Sequence, residues 1–165
     1  MALTYTAIAT TTVGSGGASS IDFTVIPQTY TDLVVKTSTQ GSANVYFLIR
    51  FNSNTSNRSG KYLLYQNGTS VSTGDYEPWG YGWVGSGEPQ VFGSGEFYIP
   101  NYTSSNFKSI SSESLYESNA VNPRGTLMAG LWSNTSAITS VNLVPASGTF
   151  AQYTTATLYG IKNTV

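Results

Sequence analysis

The chain has 165 residues, of which only 9% are charged, with seven Lys and Arg against eight Asp and Glu. This balance gives no basic surface for a phosphate backbone or an anionic membrane, so we expect no nucleic-acid partner. The sequence contains neither Cys nor His, which excludes disulfides, thiolate metal sites and the commonest general base of enzymes.

The length fits a single domain spanning residues 1–165, and an aromatic content of 13% argues against a disordered chain. At the N-terminus, residues 1–8 have no basic start and no continuous apolar block. We therefore expect neither a signal peptide nor membrane insertion, and we expect synthesis in the cytoplasm.

The rest of the chain shows the alternation of apolar and polar residues that is typical of β-strands. In chain order, the predicted strands cover residues 5–13, 21–25, 33–35, 45–52, 62–65, 90–99, 108–116, 126–132, 141–143 and 155–161. The third strand from the end is predicted with Leu127, Ala129 and Leu131 on one face and Met128 and Trp132 on the other. Between two of the strands, the polar residues 52–60 are predicted to form an exposed connection.

Turns rich in Gly, Pro, Asn and Ser separate these segments, and helical spacing is hard to find. Many short strands joined by such turns predict an all-β fold. We expect an antiparallel β-sandwich in the form of a jelly roll of about eight strands. An immunoglobulin-like strand order is the alternative.

Carboxylates are the remaining candidates for catalysis, because a hydrolase without His or Cys would use a carboxylate pair. The pairs to consider are Asp75 with Glu77 and Glu88 with Glu96. We interpret both as solvated turn residues, since nothing near them in sequence signals a perturbing environment. Asp75 and Glu77 could also offer oxygens to calcium, but no calcium-loop motif surrounds them. We therefore predict no enzyme, no catalytic residue, no cofactor and no metal site.

One aromatic segment stands out, because residues 76–83 read YEPWGYGW. In an extended backbone Trp79, Tyr81 and Trp83 share one side, and the glycines between them leave the other side bare. A row of rings beside carboxylates suits glycans, which stack on rings and hydrogen-bond to carboxylates. Rings in the sandwich core and rings buried against another subunit are the two other interpretations. The candidate contact residues are Asp75, Tyr76, Glu77, Trp79, Tyr81 and Trp83.

Two stretches of the chain carry a family resemblance. Towards the N-terminus, residues 20–27 read SIDFTVIP and residues 31–35 read TDLVV. Towards the C-terminus, residues 131–141 read LWSNTSAITSV, residues 146–150 read ASGTF and residues 158–162 read LYGIK. These stretches resemble the small β-sandwich structural proteins of tailed bacteriophages, particularly those of cyanobacterial and marine phages. The resemblance covers roughly a third of the chain.

The resemblance implies a non-enzymatic virion structural protein that is made in the host cytoplasm. We expect a capsid decoration, or cement, protein that binds the major capsid protein and stabilises the outer shell as a homotrimer. A tail-fibre or head-fibre protein that binds a host-surface glycan, and so lies at the tail or a fibre, is the alternative. The decoration role is favoured because the strand pattern fills the chain and leaves no segment for a tail anchor or a fibre shaft.

Overall fold

The computed structural model describes residues 4–43, 46–66, 70–76, 80–83, 91–117 and 123–162, with the backbone alone at residues 70, 76 and 81. The strands are β1 (Thr4–Thr12), β2 (Ile21–Phe23), β3 (Asp32–Thr39), β4 (Tyr46–Phe51), β5 (Arg58–Gln66), β6 (Ser70–Tyr76), β7 (Tyr81–Trp83), β8 (Gly93–Ile99), β9 (Lys108–Tyr116), β10 (Arg124–Trp132), β11 (Val141–Pro145) and β12 (Thr155–Lys162). Within these ranges there is no helix that could span a lipid bilayer.

The strands form two antiparallel sheets, as predicted for a β-sandwich. The large sheet has eight strands in the order β1-β12-β3-β8-β9-β10-β5-β6. The small sheet has four strands in the order β2-β11-β4-β7.

Among the strands of the described residues, eight of the twelve follow the path of a jelly roll. The chain runs from β2 in the small sheet to β3 in the large sheet, back to β4, and on to β5 and β6. It then crosses to β7, returns to β8 and ends this path at β11. Such repeated crossing winds two Greek keys into one sandwich, so the predicted jelly roll is confirmed. The other four strands are additions: β1 and β12 widen one edge of the large sheet, and β9 and β10 lie between β8 and β5.

The strands β6 and β7 have no counterpart among the predicted strands. β6 contains few apolar residues, and β7 has only three residues, so neither carries the alternation that marks a buried strand. Both are held by pairing, β6 with β5 and β7 with β4. β5 also begins at Arg58, so the last residues of the predicted connection 52–60 belong to a strand.

The main core lies between the two sheets and is rich in aromatic rings. Phe47 of β4 is fully buried, and its ring centroid lies 5.6 Å from that of Phe97 and 5.6 Å from that of Phe150. Phe51, on the same strand, packs against Trp132 with 5.8 Å between the ring centroids. The core therefore joins β4 of the small sheet to β8 and β10 of the large sheet.

Asp32, at the start of β3, is a buried carboxylate whose hydrogen bonds connect β3 to two other parts of the chain. Its side chain accepts hydrogen bonds from the Tyr98 hydroxyl and from the backbone N–H of Asn101, both at 2.9 Å. Burial raises the pKa of Tyr98 above its ordinary value of 10.0, and the hydrogen bond to Asp32 raises it further. Because the pKa of Tyr98 is higher in the folded state, its protonated hydroxyl contributes stability at every pH below the ordinary pKa. This contribution is lost as the pH rises through the folded-state pKa.

We expect Asp32→Ala to lower the free energy of unfolding by about 1–3 kcal/mol, because two donors lose their acceptor. Asp75→Ala is the matched control, since Asp75 is exposed and its ion pair with Lys61 lies in solvent, where such pairs contribute about 1 kcal/mol or less. Urea unfolding measures both changes. Equal losses for the two variants would contradict this role for Asp32.

Candidate functional site: the outer face of the large sheet

The structure places β7, which holds the last three residues of the aromatic segment, at the edge of the small sheet. β7 pairs with β4, so that Trp83 is opposite Tyr46 and Gly82 is opposite Phe47. Of the other candidate contact residues, Glu77 and Trp79 lie outside the described residues, and only the backbone of Tyr76 and Tyr81 is described.

Trp83 is packed inside the protein, with 5% of its surface exposed. Its indole N–H donates a hydrogen bond of 2.7 Å to the Thr126 hydroxyl, and its backbone N–H donates one of 2.8 Å to the Ser114 hydroxyl. The Arg124 guanidinium lies 4.6 Å from the centre of the ring. Core packing, one of the three interpretations of the segment, therefore accounts for Trp83. A contact role for Trp79 and Tyr81 stays a prediction.

The glycines of this segment allow its backbone to pack closely against the core. A Cβ atom at Gly80 would lie 2.6 Å from the Ile49 side chain, and one at Gly82 would overlap the Phe47 ring and lie 3.0 Å from Phe97. The side that the sequence suggested was bare is therefore filled by β4 and β8. Glycine lets the backbone of β7 approach the core more closely than any other residue would.

The described carboxylates of the candidate pairs, Asp75 and Glu96, lie on the side of the large sheet that faces away from the core. Asp75 forms an ion pair with Lys61 on the neighbouring strand. Glu96 forms an ion pair of 2.9 Å with Lys36 and lies directly opposite Glu113 on β9. Glu77 and Glu88, the predicted partners of Asp75 and Glu96, are outside the described residues. Among the residues that are described, no group of three or more acidic side chains could hold a metal ion.

Four neighbouring strands, β9, β10, β5 and β6, present an exposed surface that we call the outer face. Strand pairing arranges its side chains in three rows that run across these strands, each read from β9 to β6. The first row is Leu115, Gly125, Tyr65 and Val71. The second row is Glu113, Leu127, Leu63 and Thr73. The third row is Ser111, Ala129, Lys61 and Asp75.

One corner of the outer face is apolar and exposed. It consists of large side chains whose exposed fractions run from 40% to 67%, and we call it the apolar corner: Leu63, Tyr65, Val71, Leu115 and Leu127. These residues line a shallow hollow of about 330 Å³. Contiguous exposed apolar surface of this kind commonly marks a site of contact with another molecule.

A wider trough of about 790 Å³ adjoins the apolar corner. Small residues, Ala129 and Ser111, form its floor between the longer side chains of Lys61 and Tyr98. Because Asp75, Glu96 and Glu113 also line it, the trough offers carboxylate acceptors, hydroxyls and apolar surface side by side. This chemistry suits the binding of a polar ligand.

The sequence carried a signal for the outer face that the strand predictions did not use. Along β10 both sets of alternating residues are apolar: Met128 and Trp132 are buried, whereas Leu127 is 57% exposed. A strand that is apolar on both faces is typical of a sheet covered on both sides. Apolar residues on the second face therefore indicate a surface that another molecule could cover.

Comparison with known proteins finds no matching family model, no similar curated protein and no similar solved structure. The likeness to phage virion proteins therefore depends on the two sequence stretches alone, and the role that it implies is a proposal.

Proposed function

We propose that the protein is a non-enzymatic structural protein of tailed-bacteriophage virions that decorates the outer capsid shell as a homo-oligomer and reinforces it. The observation that carries this proposal is the apolar corner of the outer face. Apolar surface that stays in water is unfavourable by about 25 cal/mol per Å² relative to buried surface. In a protein that acts alone, this exposure has no function. In a protein that assembles with other subunits, burial of the same surface in the interface stabilises the assembly.

The placement of the two resembling stretches supports the proposal. β2, from the first stretch, pairs with β11, which begins at Val141 of the second stretch, and β3 pairs with β12. A Cβ atom at Gly160, in the LYGIK motif, would overlap the Tyr30 ring, which precedes the TDLVV motif. The two stretches thus form one continuous part of the sandwich, and their motif residues fit one another.

The low charge of the chain also suits a shell protein. With seven basic and eight acidic residues, copies carry almost no net charge and do not repel one another. An oligomer that contacts several capsid subunits at once binds the shell more tightly than a single subunit, because its weak contacts act together. The major capsid protein is the partner in this role, and three is the subunit number implied by the sequence resemblance.

Mass spectrometry of purified particles tests the proposal. We expect a copy number of the same order as that of the major capsid protein. We also expect particles from a deletion phage to release DNA at a lower temperature, and added purified protein to restore the wild-type temperature. Absence from the particle, or only the few copies that a tail component has, would contradict decoration.

A fibre head that binds a host-surface glycan is the second candidate function, and the trough favours it. Carboxylates and hydroxyls beside apolar surface are the groups that bind sugars. A glycan array probed with the wild-type protein and with Ala129→Trp, which fills the floor of the trough, separates this candidate from the first. Binding that is lost in the variant would support the fibre head, and no binding by the wild type would remove it.

A further inference from the structure

We propose that the outer face binds the outer face of a second copy of this chain, across a two-fold axis that runs parallel to the strands between β10 and β5. This contact deepens the proposed function, which requires a homo-oligomer, and it predicts two subunits where the sequence resemblance implies three. It can be tested in solution, so its failure is distinguishable from the failure of the capsid role.

The first argument is the match of apolar groups under this axis. Two sheets that pack face to face keep their strand directions within about 30°, so the rows of the two copies remain facing one another. The axis exchanges β10 with β5 and β9 with β6. It therefore places Leu127 against Leu63 of the second copy, and Leu115 against Val71 of the second copy.

The second argument is the match of size. In the first row, the Tyr65 ring, 40% exposed, faces Gly125 of the second copy, and the Leu115 side chain of that copy lies over this glycine, so the ring meets an apolar surface. In the third row, the long side chain of Lys61 faces the small Ala129. Across the axis, each of these large side chains therefore faces either an apolar surface or a small residue.

The third argument is the match of charge. Glu113 makes no ion pair with any residue of the described ranges, and the axis places it against the Thr73 hydroxyl of the second copy. Asp75 is placed against the Ser111 hydroxyl in the same way. Each carboxylate on the outer face thus meets a hydrogen-bond donor, and no carboxylate meets another.

The alternative axis, across the strands, fails the same comparison. It exchanges the first and third rows, and so places Val71 against Asp75 and Leu115 against Ser111 of the second copy. Apolar groups would then cover a carboxylate and a hydroxyl without satisfying them, which is unfavourable. The self-match of the outer face is therefore specific to one axis, and this identifies the second copy as the occupant.

The outer face is about 19 Å wide across four strands and about 17 Å long over five residues. This footprint is smaller than the roughly 800 Å² per partner of a standard stable interface. We therefore expect a dimer that dissociates on dilution. Analytical ultracentrifugation over a concentration series should show a mass that rises from that of the 17.6 kDa chain to twice that mass.

Leu127→Asp should weaken this dimer about 100-fold or more, because it places a charge against Leu63 of the second copy. Val25→Asp is the control, since Val25 is 89% exposed and lies outside the outer face. Thermal unfolding should show that both variants are folded. A wild type that stays monomeric or forms a trimer, or a Leu127→Asp variant that assembles like the control, would overturn the proposal.

Cysteine cross-linking tests the axis itself, because the chain contains no Cys. Thr73 and Glu113 are three strands apart within one chain, about 14 Å, which is too far for a disulfide. Across the proposed axis they face one another, so the double variant Thr73→Cys/Glu113→Cys should form a covalent dimer on oxidation. Val71→Cys/Asp75→Cys is the matched control, and it cross-links only with the alternative axis. Cross-linking of the control, or of neither variant, would overturn the proposed axis.

Discussion

Phe47→Ala is expected to lower the free energy of unfolding by about 3–5 kcal/mol. Phe47 is fully buried and packs against Phe97 and Phe150, so the substitution removes apolar contacts and leaves a cavity between the two sheets. A loss of this size is a large fraction of the roughly 5–15 kcal/mol that stabilises a typical domain. Urea unfolding followed by circular dichroism measures the change.

Phe107→Ala is the matched control for this experiment, because it makes the same chemical change at a residue that is 57% exposed. A surface substitution of this kind changes stability by about 0.5 kcal/mol or less. If the two variants lost equal stability, the aromatic core between the sheets would be wrongly placed.

Trp83→Ala is expected to cost about 3–5 kcal/mol of stability, because the buried indole fills the space beside Met128 and Tyr116. Trp83→Phe keeps most of the ring but loses the N–H that donates to Thr126, so we expect about 1 kcal/mol for this variant. Denaturant unfolding of the two variants and the wild type measures this graded loss.

The same pair of variants separates a core role for Trp83 from a contact role. A ring that serves only a partner or a glycan would leave stability unchanged and reduce binding when it is removed. Unchanged unfolding of Trp83→Ala would therefore contradict the buried position of Trp83. Contact through the rest of the aromatic segment is tested by Trp79→Ser with Tyr81→Ser, which leaves Trp83 in place.

The strands that the sequence predicted well are those whose two faces differ. β9 was predicted over residues 108–116 and has these bounds, because buried and exposed residues alternate along its whole length. β12 was predicted to within one residue for a similar reason. β6 could not be predicted, since its place at the edge of the large sheet depends on pairing with β5 rather than on its own pattern.

The candidate site was harder to predict than the fold. Gly82 and Trp83 are consecutive residues of β7, but the residues that cover Trp83 come from β9 and β10, which are distant in sequence. On β10, both faces are apolar, so the sequence could not indicate which one faces the core. That choice is made by the packing of the sheets, and it leaves Leu127 exposed on the outer face.

Cryo-electron microscopy of intact phage particles tests the capsid role most directly. We predict density for this β-sandwich on the outside of the shell, repeated by the capsid symmetry and in contact with the major capsid protein. Density for the sandwich at the tail or on a fibre, with none on the shell, would contradict the proposed function.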